Sequence, residues 1–146
     1  MVDHINDRKI TIIEYSTEKN WFDQIPLKNW LCVLIVNDKP RRYIDEVIRK
    51  VISKDVVYIC TIGKQSKQIH DLIDEEISFI AVDINSPYLP QHTIITTWHL
   101  DFEEGIWFSL FAAYSEEVII KEIVILDMTD GSEIPRVKAF IKKIDR

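Results

Sequence analysis

Residues 96 to 108 read TTWHLDFEEGIWF, and they place His99, Asp101, Glu103 and Glu104 between two tryptophans. A histidine with a carboxylate near it can act as a general base or hold a metal ion. A second group of the same kind is His70 with Asp71 and Asp74. His70 and Asp74 are four residues apart, so on a helix they share one face. Cys60 is a further nucleophile candidate with His99 as its base. Each of these has a plainer reading. Asp101 followed three residues later by Glu104 is a capping-box pattern, and Glu103 and Glu104 complement a helix dipole. That accounts for the acids without catalysis. His70 and Asp74 border an apolar stripe, where a solvated face is the usual outcome. Cys60 lies inside an apolar run, as a core residue does. What capping leaves unexplained is TTWH, and His99 above all.

These side chains are positioned by elements that can be read from periodicity. Strands are expected at 9–15, 30–38, 55–63, 77–83, 93–98 and 118–128. Helices are expected from Pro40 to about 54, over 64–75, from Asp101 to Tyr114, and over 130–144 with Ser132 as N-cap. Buried apolar strands alternating with amphipathic helices imply an α/β fold. The expected architecture is a compact Rossmann-like or flavodoxin-like three-layer sandwich. Its sheet is mainly parallel and five- to six-stranded, with helices on both faces. The strand at 9–15 is expected to be an antiparallel edge, open to strand addition. The chain reads as one domain, an N-terminal strand and irregular loop (1–29) before an α/β core (30–146).

In such sheets ligands bind outside the carboxyl ends of the strands. The residues expected there are Asn37 and Asp38, Thr61 and Gly63, Asp83 and Asn85, Trp98 and His99, and Asp127 to Asp130. A ligand site built on Asp38, Thr61, Gly63, Lys64, His70, Trp98 and His99 follows. Lys64 would meet a phosphate as a point charge. His70, His99 and Asp38 would have to meet in one cleft for joint chemistry.

Five stretches carry a resemblance: NWLC (29–32), YICTIGK (58–64), HDLIDE (70–75), TTWHLD (96–101) and IWF (106–108). Together they resemble a family of small uncharacterised bacterial proteins. Its pattern is a Y-x-C-x-x-G turn, a His-Asp pair on the next helix, then TTWH before a helix carrying Trp-Phe. The resemblance covers residues 29–114. This chain departs from it after TTWH, where the link to the helix is shorter and Leu100 replaces an acid. The resemblance implies membership of the family and no particular activity.

Composition excludes several classes. The chain has 146 residues, a formal net charge of -6, 47% hydrophobic and 29% charged residues. An acidic protein lacks the clustered positive surface that nucleic-acid binding needs. No apolar run reaches the roughly 18 residues of a membrane span, and the N-terminus has no apolar signal segment. A cytoplasmic location is expected. Cys32 and Cys60 read as buried free thiols, and no CxxC pair suggests structural zinc. Three glycines cannot form a dinucleotide fingerprint or a P-loop. No cofactor and no metal are expected.

Trp107 falls on a helical core stripe and Trp30 opens a buried strand. Trp21 and Phe22 lie in a polar loop, where exposed aromatics would mark a partner surface. The leading functional expectation is a non-enzymatic binding protein acting through a protein partner, basic by charge complementarity. An immunity- or antitoxin-like inhibitor is one form of it. The alternative is a small-molecule or nucleotide-binding domain, including a hydrolase, with its site around His99. A homodimer is a third reading.

Overall fold

The computed structural model describes residues 3–82 and 88–145. Among the described residues, six strands form one sheet in the order β1-β2-β6-β3-β4-β5. They are β1 (His4–Ile5), β2 (Arg8–Glu14), β3 (Trp30–Ile35), β4 (Tyr58–Ile62), β5 (Ile95–His99) and β6 (Glu122–Asp127). All neighbours pair in parallel except β1, which runs antiparallel to β2. Four α-helices among the described residues, α1 (Arg41–Ile52), α2 (Ser66–Val82), α3 (Phe102–Trp107) and α4 (Ile134–Ile144), complete an α/β fold. A π-helical turn, Phe108–Ala112, continues α3.

Strand alternation divides the core. Leu31, Val33 and Ile35 of β3 join Phe102 and Ile106 of α3 and Val137 and Ile141 of α4 in one apolar cluster. Trp30, Cys32 and Leu34 join Ile44, Val47 and Ile48 of α1 and Ile69 and Ile73 of α2 in another. Every residue of β3, β4 and the last five of β6 is buried. That explains why these strands are continuous apolar runs rather than alternating ones.

Several expectations are corrected. The segment expected as a strand at 77–83 is helical as far as Val82, and Asp83 lies outside the described residues. Ile69, Ile73 and Ile80 keep one helical stripe buried, so Ile77 and Ile80 of ISFIAV extend the inward face of α2 while Phe79 and Val82 are exposed. Short apolar runs do not distinguish a strand from a buried helix turn. The strand at 9–15 is neither antiparallel nor an outer edge: β2 pairs in parallel with β6, and the two-residue β1 forms the antiparallel edge. The strand expected at 118–128 spans only β6. Ser132 does not cap α4; Glu133 stands at that position and makes no side-chain cap. Trp107 is 47% exposed instead of core, because the buried stripe runs through Phe102, Ile106 and Leu110. Trp21 is buried against the edge of the Tyr15 ring, so the loop presents no Trp21 surface. Trp30 is buried at the start of β3, and both cysteines are buried free thiols, as read from the sequence.

Candidate functional site

The carboxyl ends of β3 and β4 approach closely at Gly63. A Cβ there would lie 2.4 Å from the Val36 carbonyl oxygen and 2.6 Å from Asn37 Oδ1, and its φ is +114°. Only glycine fits both conditions. The turn is tied by the Lys64 amide, which donates to Asn37 Oδ1 at 3.1 Å. Gln65 then grips Lys39 through both backbone groups, at 2.8 and 3.1 Å. Beyond this turn a shallow cavity of about 240 Å³ is lined by Asn37, Gly63, Lys64, Phe102, Glu133 and Arg136 among others. The Arg136 guanidinium lies over the Phe102 ring at 4.1 Å and 3.5 Å from Glu133 Oε2.

Of the seven residues proposed for a ligand site, Gly63 and Lys64 line this cavity, and Asn37 joins them from the expected strand ends. The others are placed elsewhere. Thr61 is fully buried, and its hydroxyl donates to the Ser66 carbonyl at 2.8 Å, inside the first turn of α2. Asp38 is exposed at the end of β3. His70 sits on α2 with Nδ1 3.4 Å from Asp71 and 3.7 Å from Asp74. Asp74 in turn accepts from the Thr96 hydroxyl at 3.0 Å. Trp98 is partly exposed.

His99 is enclosed, at 8% exposure. Its Nε2 lies 3.0 Å from the Thr97 hydroxyl and its Nδ1 3.3 Å from Glu104. Its ring packs 4.9 Å from that of Phe108. Thr97 and His99 share one side of β5, whereas Thr96 faces α2 by its bond to Asp74. His70 and His99 therefore stand on opposite sides of the strand and do not meet. Asp101 caps α3 by accepting from the Glu104 amide at 3.1 Å, the role its spacing implied. Asn85 lies outside the described residues.

Burial pushes the Cys60 thiol up to about 12, with the Thr97 hydroxyl 3.5 Å away partly offsetting the effect. A thiol of that kind is no nucleophile near neutral pH. Burial also raises Cys32. The Arg8 guanidinium is buried; it donates to the Ser109 carbonyl at 2.8 Å and to the Ala113 carbonyl. Among the described residues, no group of three or more His, Cys, Asp or Glu side chains is disposed to hold a metal ion. No described helix is long and apolar enough to cross a membrane.

On the other side of the sheet's carboxyl edge the sequence offers Asp127 to Asp130 as strand-end residues, but none of them as a ligand-site candidate. Asp127, fully buried at the end of β6, accepts from the Gly131 amide at 2.8 Å through Oδ2. Its Oδ1 accepts from the Thr129 amide at 3.2 Å and from the Thr129 hydroxyl. That clasp presents Asp130, whose Oδ1 takes an ion pair from Lys39 Nζ at 2.9 Å. A cavity of about 280 Å³ lies here, lined by residues 14–18, Lys39, Tyr43 and Asp130. The only sequence signal was the acidic end of the 118–128 run. Choosing this end required the strand order.

Geometry thus defines an α/β protein with a mixed, mostly parallel sheet and two open cavities at its carboxyl edge. The chain belongs to the family described as Domain of unknown function (DUF7684), whose model matches residues 10–144. No curated protein and no solved structure matches it.

Proposed function

We propose that the protein is a non-enzymatic binding protein that acts through a protein partner in the cytoplasm. The observation that carries this reading is an exposed aromatic pair. Trp107 and Phe111, 47% and 38% exposed, lie with ring centroids 5.7 Å apart at a tilt of 36°. Tyr114, three residues further on, is exposed as well. Aromatic side chains of this kind dominate binding energy at protein interfaces, and the buried stripe of Phe102, Ile106 and Leu110 fixes the helix that carries them. The net charge of -6 favours a basic partner through electrostatic steering, as in an immunity- or antitoxin-like inhibitor.

The Rossmann-like reading of the fold is supported by strand order. Counted from β3, the run β5-β4-β3-β6 has the order 3-2-1-4 of a doubly wound sheet, with β2 beyond it. The division of the core between α1 with α2 and α3 with α4 supports helices on both faces. The alternative of a small-molecule or nucleotide site draws support from the cavity at Gly63 and Lys64. His99 is not among that cavity's lining residues, so the support does not extend to His99 as a base.

The test is paired co-purification from source cells at low salt, with wild type and the Trp107→Ala/Phe111→Ala variant as baits. Both side chains are exposed, so the variant should unfold within about 1 kcal/mol of wild type. A specific partner should be retained by wild type, released by salt, and lost with the variant. Equal recovery by both baits, or no partner at low salt, overturns the reading.

A further inference from the structure

β5 ends the strand order, and among the described residues β4 alone pairs with it. The Ile95 amide donates to the Val57 carbonyl at 3.1 Å, and the His99 carbonyl accepts from the Gly63 amide at 3.4 Å. Alternate residues of a parallel strand turn both backbone groups to the same side, so Ile95, Thr97 and His99 face β4. Thr96 and Trp98 turn theirs outward, where no described group pairs with them. Open edges are ordinarily blunted by charged residues or proline. Residues 93–100, TIITTWHL, contain no Lys, Arg, Asp, Glu or Pro.

Both walls of this edge are acidic. α2 lies against one face of β5, where the Thr96 hydroxyl donates to Asp74 at 3.0 Å. α3 lies against the other, where His99 Nδ1 is 3.3 Å from Glu104. The Asp74 and Glu104 side chains are still 54% and 62% exposed. Glu116 and Glu117 line a cavity beside Ile95, at the amino end of the same strand. The local sequence supplies no cation to answer them. Residues 68–120 hold ten Asp and Glu and no Lys or Arg. The rest of the chain has 14 Asp and Glu against 18 Lys and Arg, so the acidity of the protein resides around β5. Trp98, partly exposed, shares the α2 face with Thr96. The described cation–ring contacts of this chain all lie on other rings.

We infer that β5 is a strand-addition edge for an extended, basic segment of another protein. The main chain of that segment pairs with the outward N–H and C=O groups of Thr96 and Trp98. Its successive side chains alternate between the two walls. Two adjacent basic residues therefore meet Asp74 on one wall and Glu104 on the other, and an arginine on the α2 side also covers Trp98. A second copy of this chain is a poor occupant, because β5 against β5 sets these carboxylates against their own copies. The inference stands on β5 and not on Trp107 and Phe111, so either reading can fail alone.

The experiment is an amide NMR titration of the full chain, at constant ionic strength, with the blocked peptide Thr-Val-Arg-Lys-Val-Thr. Saturable shifts are expected at Thr96, Trp98, Asp74 and Glu104. The same peptide N-methylated at every residue keeps its charges but donates no backbone hydrogen bond, and Thr-Val-Glu-Glu-Val-Thr reverses the charge. Each should bind more weakly by about tenfold or more. Asp74→Asn/Glu104→Gln in the protein should weaken the basic peptide about tenfold. Linear shifts, equal affinity of the N-methylated peptide, or unchanged affinity in the double variant overturns the inference. Shifts confined to Trp107 and Phe111 also overturn it, while leaving the aromatic face of α3 as the docking surface. Self-association of the free protein through the β5 amides, read by light scattering and dilution, assigns the edge to a second copy and overturns it as well.

Discussion

At the scale of single residues, the side chains with the most chemical promise are those the fold encloses. His99 is held by Thr97, Glu104 and Phe108, and Thr61 spends its hydroxyl on the first turn of α2. Cys60 shows the consequence most directly. Burial raises its thiol to about 12, above the ordinary value of 9.0. At pH 8 the native protein should resist iodoacetamide, and both cysteines should alkylate only after unfolding in urea; mass spectrometry reads the difference. Rapid labelling of native Cys60 would show the thiol to be accessible and refute the enclosed site. The sign of the linkage follows. The unfolded thiol ionises first as pH rises, so this contribution to stability is complete below about pH 9 and is lost towards pH 12. Denaturant midpoints across that window should fall.

At the scale of elements, the sequence was most legible where periodicity and capping agree. The α1 helix after Pro40 and the Asp101 cap of α3 are both legible in the sequence, because each is a local pattern. ISFIAV was misread since its apolar residues suit a strand as well as a helix turn, and only packing on Ile69 and Ile73 decides. Trp107 was misread because a helical stripe one residue wide separates Ile106 from its neighbour. The Gly63 turn was legible as a turn, but not as a contact. Its missing side chain lets β4 reach the Val36 carbonyl, which spacing cannot reveal. Gly63→Ala should therefore cost about 2–4 kcal/mol, from the positive φ together with the clash. Urea unfolding measures it. A loss below about 1 kcal/mol would mean that the two strand ends separate easily, and the cavity beside Lys64 would then be pliable.

At the scale of the whole molecule, the sheet closes late along the chain. β6 lies between β2 and β3, pairing Ile10 with Ile123 and Leu31 with the same residue from the other side. No local pattern announces that insertion, so a cavity could be placed at the carboxyl edge but not beside Asp130. Tyr15, Lys39 and Asp130 are far apart in sequence and meet only through this order. Arg8 adds a second tie, from the start of β2 to the Ser109 carbonyl within the turn after α3 and the Ala113 carbonyl just beyond it. Folding must therefore close long loops before its central hydrogen bonds form, and such loops are entropically costly. A chain ending at residue 117 lacks the strand that both β2 and β3 need. It should show no cooperative thermal transition, whereas the full chain unfolds in one step. Circular dichroism on both chains checks this. A cooperative transition in the shortened chain would mean that β3, β4 and β5 with α1 and α2 form a stable unit by themselves. The junction of β3 with β6 would then be an interface between two folding units instead of the centre of one.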